Sequence, residues 1–436
     1  MKRRTVVLVW GGEERAVFQR VLGRPLAAYG LAAALALRPD AVLVVSGTGG
    51  DGWDDVIRDI GTDTPIFVLP KGPRPSARRQ DGLAVLGAAR PVLERYPACD
   101  LLAVPVERPL LTTRTLRTLL RAHAGKGAAL TFLSGPGAAG LAGALAVRSS
   151  EVFPFLAAAG KGRSRGDFGA LAHWLAKAGH RIAHSECPDA EEVLPVRNAV
   201  DLARAARELQ RRKNEALARA GVVFLDPFSA WIDWEVRIGP RTVVYPSVVI
   251  EGPTRIGSGG TVYPHVHIMG STLGPRVKVL TSTVMEGAAL DSDAQVGPFS
   301  RLRPKTRVRA GAKVGNFVEI KNTDFGPGSK AQHLSYLGDA TVGEGVNVGA
   351  GTITCNYDGV SKNPTRIDAG AFIGSGTELV APVTVGRGAY VAAGSTITKN
   401  VTAGALAIAR ARQLEKPAWV LERARARKKA RARGGR

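Results

Sequence analysis

From Ile238 onward an aliphatic residue returns at every sixth position: Ile238, Val244, Ile250, Ile256, Val262 and Ile268. The same spacing runs through Leu290, Val296, Leu302, Val308, Val314 and Ile320, and again through Ile367, Ile373, Leu379, Val385, Val391 and Ile397. A helix repeats near 3.6 residues and a half-buried strand at 2. A sustained period of six marks a hexapeptide-repeat parallel β-helix. Each unit forms one short flat strand, and three make a triangular coil whose aliphatic side chains stack inward. Gly257, Gly297, Gly315, Gly343, Gly374 and Gly386 suit its tight corners. Such a stack is quasi-one-dimensional, so its open end needs a cap or a partner.

The period breaks between Gly351 and Arg366, where TITCNYDGVSKNPTR holds a DG turn and no six-residue phase. A break in a regular solenoid ejects a loop, and ejected loops often carry function. Arg303, Lys321, His333, Tyr336, Asn347, Asn356, Tyr357 and Lys362 are set among the aliphatics of the run from Arg303 to Lys362, which this break closes. Cations and amides on a rigid apolar frame suit an anionic, polyhydroxylated ligand. Arg offers such a ligand a bidentate fork and Lys a point charge.

At 436 residues the chain calls for two or three domains. Its first half reads as alternating strands (Thr5–Val9, Ala41–Val45, Pro65–Leu69, Leu101–Val104, Ala128–Leu133, Leu145–Val147) and helices (Leu26–Leu37, Gly82–Tyr96, Thr113–His123, Phe168–Ala178). That order predicts an α/β domain with a parallel sheet covered on both faces. Gly11-Gly12 ends the first strand, where such folds hold phosphate. Ala199–Ala220 reads as a connector helix stopped by Gly221. The expected domains are 1–195, 196–222 for the connector, 223–412 for the β-helix, and 413–436 for a basic tail.

No window is apolar enough to span a bilayer. The run Val6–Trp10 meets Glu13-Glu14 at once, so the N-terminus reads as a buried strand rather than a signal peptide. Three scattered cysteines, Cys99, Cys187 and Cys355, suit a reducing cytoplasm. The net charge is +23, part of it in the tail, which ends RARARKKARARGGR and reads as a solvated, disordered end. It would attract nucleic acid nonspecifically. No aromatic residue follows Trp419 among its arginines, so no specific nucleic-acid partner is expected.

GPFSRLRP, VGNFVEIKN, GSKAQHLSYLGDA, VGEGVNVGAGTITCNYDGVSK, FIGSGTELVAPVTVG and AAGSTITKNV closely resemble the bacterial bifunctional N-acetylglucosamine-1-phosphate uridylyltransferase / glucosamine-1-phosphate N-acetyltransferase family. The resemblance covers the whole chain in layout and is close from Ile238 onward. It implies a nucleotidyltransferase-type α/β domain, then a left-handed β-helix that assembles as a homotrimer. That β-helix moves acetyl from acetyl-CoA to the amine of glucosamine-1-phosphate. His333 would be the general base that takes a proton from the attacking amine, with Glu319 orienting it. Arg303, Lys321 and Lys362 would hold the sugar phosphate, and Tyr336 and Asn347 the phosphate and sugar. Asn356 and Tyr357 would lie at the acceptor amine and acetyl group. Ala350, Ser375, Ala393 and Arg410 would contact the coenzyme, Arg410 that of a neighbouring subunit. A covalent acyl-enzyme at Cys355 is the lesser reading.

The first half departs from the family pattern. Where the family has a strand followed by a motif close to L-A-A-G-x-G-T-R-M, this chain has VLVWGGEERAVFQR, with Glu13 and Glu14 in the phosphate loop. Carboxylates there repel a triphosphate. The uracil-reading segment is represented only by ARRQDGLAV. Glu107 stands at the magnesium-binding aspartate and Leu141 near the asparagine that completes the metal site. The leading expectation is therefore an acetyltransferase with an inactive or repurposed sheet domain, Mg2+ mattering only if that domain works. Three alternatives stand beside it: a fully bifunctional enzyme, acetylation of another amino sugar phosphate, and a non-enzymatic basic trimeric binding protein.

Overall fold

The structure, a computed structural model, describes residues 4–11, 15–46, 52–70, 82–136, 143–159 and 167–434. The chain divides into two compact units, Met1–Gly270 and Ser271–Arg436.

The first unit opens on a seven-stranded sheet. Its strands are β1 (Arg4–Gly11), β4 (Ala41–Ser46), β5 (Ile66–Pro70), β6 (Cys99–Pro105), β7 (Leu130–Ser134), β8 (Leu145–Arg148) and β9 (Ile182–Glu186); β2 (Arg20–Val21) and β3 (Arg24–Pro25) form a separate hairpin. The order is β5-β4-β1-β6-β8-β7-β9. Val6–Trp10 and Leu101–Val104 are almost wholly buried, as continuous apolar strands must be when helices cover both faces. One pack includes Leu8, Leu86, Leu101 and Leu171, and the opposite one Val7, Leu31, Leu102 and Leu116. The sheet is mixed rather than all parallel. β8 runs antiparallel to both β6 and β7, because the ten residues between β7 and β8 are fewer than the crossover a parallel neighbour needs.

Helices α1 (Leu26–Leu35), α3 (Gly82–Leu93), α4 (Thr113–Gly125) and α6 (Phe168–Lys177) match the sequence pattern. Helices α2 (Trp53–Ile60) and α5 (Ser149–Ala159) and strand β9 do not stand out in it. Helix α7 (Ala199–Arg219) is capped by the Asn198 side chain, which accepts from the amides of Val200 and Asp201. Its Lys213 ammonium donates to the carbonyls of Trp234 and Val236 at 2.7 and 2.8 Å. Burial lowers the pKa of Lys213 to about 8. The first short parallel strands follow, with Val244 paired to Val262 and Ile250 to Ile268.

In the second unit, short parallel strands stack in three ladders. One runs Lys278–Val279, Gln295–Val296, Lys313–Asn316, Lys330–His333, Asn347–Val348, Phe372–Ile373, Tyr390–Val391 and Leu406–Ala407. Every aliphatic of the period from Leu290 to Ile397 is buried. Between Ile320 and Phe325, and between Leu337 and Val342, the buried position advances by five residues, so the period slips where a corner is one residue shorter. Two residues ahead of many inward side chains sits a small residue with a buried hydroxyl. Ser329, Thr352 and Thr377 use theirs to satisfy the carbonyls of Gly343, Gly349 and Gly374. The ejected loop is shorter than the sequence break, because Ile353–Cys355 remains in a ladder. After Lys416 the chain forms helix α8 (Trp419–Gly434), exposed wherever its side chains are described. The tail is therefore solvated as expected, but helical rather than disordered. No helix of the described residues is long and apolar enough to cross a membrane.

Candidate active site

One corner of the second unit collects His333 and four of the expected coenzyme contacts, Ala350, Ser375, Ala393 and Arg410. Strand pairing sets Asn316 beside His333. Further along the corner, Gly351 N–H donates to His333 O, Gly376 N–H to Ala350 O and Gly394 N–H to Ser375 O. Asn316, His333, Ala350, Ser375 and Ala393 thus form one column, one residue per coil. The residue after each is in the left-handed region: Phe317 at φ 57°, Leu334 at 50°, Gly351 at 74°, Gly376 at 66° and Gly394 at 71°. Glycine lets that corner lie flat. A Cβ placed on Gly394 would meet the Arg410 side chain at 4.0 Å. The column therefore runs from an imidazole, past three side-chain-free corners, to a guanidinium of the same chain. At the ~4.8 Å spacing of paired strands, four rungs span roughly 19 Å.

His333 is exposed, and its Nδ1 lies 2.8 Å from Asn316 Oδ1. An amide oxygen only accepts, so in the neutral ring Nδ1 carries the proton and Nε2 the lone pair. Glu319, expected to orient the base, instead pairs with Arg303 at 3.0 Å. The reason is registry: Glu319 stands on the next face, where Arg301 and Tyr336 are its strand neighbours. Asn316 is the orienting partner the sequence reading missed. Its position one coil of 17 residues before His333 was the available signal.

A second cluster lies around Asp339. Its carboxylate accepts from Asn322 and Asn356. Burial pushes this carboxyl up, but those amides together with Lys321 and Lys362 outweigh it and leave it below its ordinary value. Gly338 admits the Tyr336 hydroxyl and the Asn356 amide, both of which a side chain there would displace. The neighbouring Lys321 amine, by hydrogen bond and charge, holds Lys362 below the ordinary lysine range. Two amines meeting at an exposed site call for an anion between them.

The loop over residues 356–364 delivers Lys362. Tyr357 and Lys362 form an isolated bridge, and Asn363 N–H donates to Asn356 O at 2.8 Å. Asp358 ties the tip, accepting from the amides of Ser361 and Val360 and the side chain of Asn363, which drives its carboxyl far below the usual range. The Tyr357 hydroxyl turns to Gly359 O. Asn347 stands on the ladder beside Lys330 and Phe372. Burial raises the Cys355 thiol, which works against a thiolate nucleophile.

In the first unit, Glu107 follows β6 and its carboxylate lies against Gly11 at the end of β1. Strand order reverses between β1 and β6, and ligands of open α/β sheets bind at such a point. Among the described residues no group of three or more His, Cys, Asp or Glu gathers to hold a metal. Gly12, Glu13, Glu14 and Leu141 lie outside the described residues, as does most of ARRQDGLAV.

No family model matches the chain. Among solved structures it is similar to a nucleotidyl transferase from Methanothermobacter thermautotroptrophicus, with a TM-score of 0.39 and 15% identity over 49% of this chain and 100% of that one. Among curated proteins it is similar to the bifunctional protein GlmU of Thermosipho africanus, 48% identical over 54% of this chain and 52% of the relative, about half that protein's length. The bifunctional protein GlmU of Trichlorobacter lovleyi is 35% identical over 93% of this chain and 94% of its own length. That of Lactobacillus johnsonii is 36% identical over 92% of each. With such identity sustained along nearly the whole of both chains, this chain belongs to the family of the bifunctional protein GlmU.

Proposed function

We propose that the second unit transfers acetyl from acetyl-CoA to the amine of glucosamine-1-phosphate, giving N-acetylglucosamine-1-phosphate for UDP-N-acetylglucosamine synthesis in the cytoplasm. The observation that carries this reading is the corner column from His333 to Arg410. Its length of roughly 19 Å suits an extended pantetheine arm, with the thioester at the imidazole and the phosphates at the guanidinium. Gly351, Gly376 and Gly394 let the arm lie against backbone beside Ala350, Ser375 and Ala393.

Lys321 and Lys362 take the sugar phosphate between them, with Arg303 near by and Tyr336 and Asn347 as further donors. Asn356 and Tyr357 frame the acceptor amine. Nε2 of His333 removes a proton as the amine nitrogen attacks the thioester carbonyl. The N–C bond forms, the C–S bond breaks, and coenzyme A leaves as the thiol after taking up a proton. Asn316 keeps the imidazole in the required tautomer.

Family membership along nearly the whole chain favours the bifunctional reading over the loss of uridylyl transfer expected from the sequence. In that reading the β1/β6 crevice holds the nucleotide. Glu107 would be one ligand of a Mg2+ ion whose remaining sites go to water and phosphate, as that ion accepts. When bound, the ion would neutralise phosphate charge. The working boundaries are 1–195, 196–222, 223–412 and 413–436, in a homotrimer.

The test is a pair of assays on the full chain. Thiol release from acetyl-CoA with glucosamine-1-phosphate should occur in the wild type and fall about a thousandfold in His333→Ala. Undiminished turnover in that variant would refute the mechanism. Pyrophosphate release from UTP, N-acetylglucosamine-1-phosphate and Mg2+ decides the second activity, and its absence would restore the single-activity reading.

A further inference from the structure

The corner column changes character at one place. Before it, the left-handed position carries Phe299, Phe317 and Leu334; after it, Gly351, Gly376 and Gly394. Bulky residues are unusual in that backbone region, where Cβ crowds the following carbonyl. Burial does not explain these three, since they are 52%, 56% and 62% exposed. Phe299 and Phe317 stack at 5.5 Å with planes 17° apart, so the ridge is ordered. The change falls between the coil that carries His333 and the next one.

We propose that Leu334, backed by Phe317, is the end wall of the acyl pocket and limits the donor to a two-carbon acyl group. This inference rests on the proposed acetyl transfer. The three glycine corners leave room for an extended ligand: Cβ atoms on Gly351 and Gly376 would meet nothing closer than 3.6 and 3.9 Å. A chain lying on that track with its thioester at His333 projects its acyl group toward the coils beyond. The first side chain it meets at this corner is Leu334, the residue following the base. Hydrophobic pockets discriminate by length only weakly, at about 10- to 200-fold per methylene. A wall set at the reacting end is where that discrimination acts.

Leu334→Gly tests the assignment without straining the backbone, because glycine is favoured at this φ; Leu334→Ala provides a second variant. The full-length protein is assayed for kcat/KM with acetyl-, propionyl- and butyryl-CoA and glucosamine-1-phosphate, alongside sedimentation velocity. The propionyl-to-acetyl ratio should rise about tenfold in Leu334→Gly and less in Leu334→Ala, with the sedimentation coefficient unchanged. An unchanged ratio in both variants overturns the wall. So does a drop in the sedimentation coefficient with all three donors falling together, which would assign the ridge to contact between copies of the chain. If the wild type acetylates normally, these outcomes bear on the wall alone; if it never uses acetyl-CoA, the proposed function falls and the wall with it.

Discussion

Asn316 Oδ1 and His333 Nδ1 lie 2.8 Å apart across adjacent coils. In the neutral ring the hydrogen bond fixes which nitrogen is free, so under the proposed mechanism Asn316 would act through the base. Asn316→Leu should lower kcat about tenfold with little change in either KM, the scale of outer-shell effects on an oriented histidine. Asn316→Asp should move the acidic limb of the kcat/KM profile to higher pH. A carboxylate beside the ring favours imidazolium, so more alkaline solution is needed to free the base. An unmoved limb would reduce Asn316 to a packing role.

The Lys321–Lys362 encounter has a thermodynamic consequence. Lys362 is held below its ordinary range by Lys321, and a phosphate dianion between them favours the charged form of both. Binding of glucosamine-1-phosphate should therefore take up protons in alkaline solution. Affinity should weaken as pH rises through the lowered Lys362 pKa. Calorimetry in two buffers of different ionisation enthalpy measures the uptake. Lys362→Met should remove it and raise the KM for the sugar phosphate about a hundredfold, the loss expected of a charge-assisted phosphate contact.

Asp358 ties the tip of the loop that carries Lys362. Asp358→Ala removes the acceptor for the amides of Val360 and Ser361 and frees the loop tip. The KM for glucosamine-1-phosphate should rise about tenfold while the melting temperature stays within a degree or so, because exposed turns contribute little to global stability. Equal effects on the KM of acetyl-CoA would show that the loop serves the coenzyme instead.

The glycine track predicts its own failure. Gly376→Leu puts a branched side chain where the ligand is proposed to lie, at φ 66°. The KM for acetyl-CoA should rise at least about tenfold, and that for the sugar phosphate should be unaffected. Isothermal titration with coenzyme A gives the same comparison without turnover.

Lys213 sets a pH dependence of stability. Its pKa is lowered to about 8 by burial, against about 10.4 in an unfolded chain. Between those values the unfolded chain binds more protons, so stability rises with pH. The penalty is complete below pH 8 and is relieved toward 10.4, by about 1–3 kcal/mol. Denaturant unfolding of wild type and Lys213→Met at pH 7.5 and 9.5 isolates it. The variant should lack the rise.

The β-helix was legible because its determinant is local and repeated: one inward aliphatic per strand, with nothing distant required. The slips at Phe325 and Val342 were less so, since a missing residue in a corner leaves the inward direction intact while shifting the count. β8 defeated the sequence reading for the opposite reason. LAV reads the same in a parallel or an antiparallel strand, and the direction is set by the short return from β7. The candidate site was legible only as residue types, with His333, Lys321 and Lys362 each standing out among aliphatics. Partnership was not. Glu319 is closer in sequence to His333 than the distance of one coil, and a coil, not sequence proximity, is the unit that decides neighbours here.

That unit gives the column a further property. The distance from His333 to Arg410 comes only in whole coils, each adding one rung of ~4.8 Å. Residues can be inserted at a corner, as at 356–364, without altering it, because the ladder on either side re-registers. Copying one complete coil between Ala350 and Ser375 would lengthen it by one step and leave both ends chemically intact. The corner is thus graduated like a ruler, and the proposed carrier would be matched to it only in whole coils.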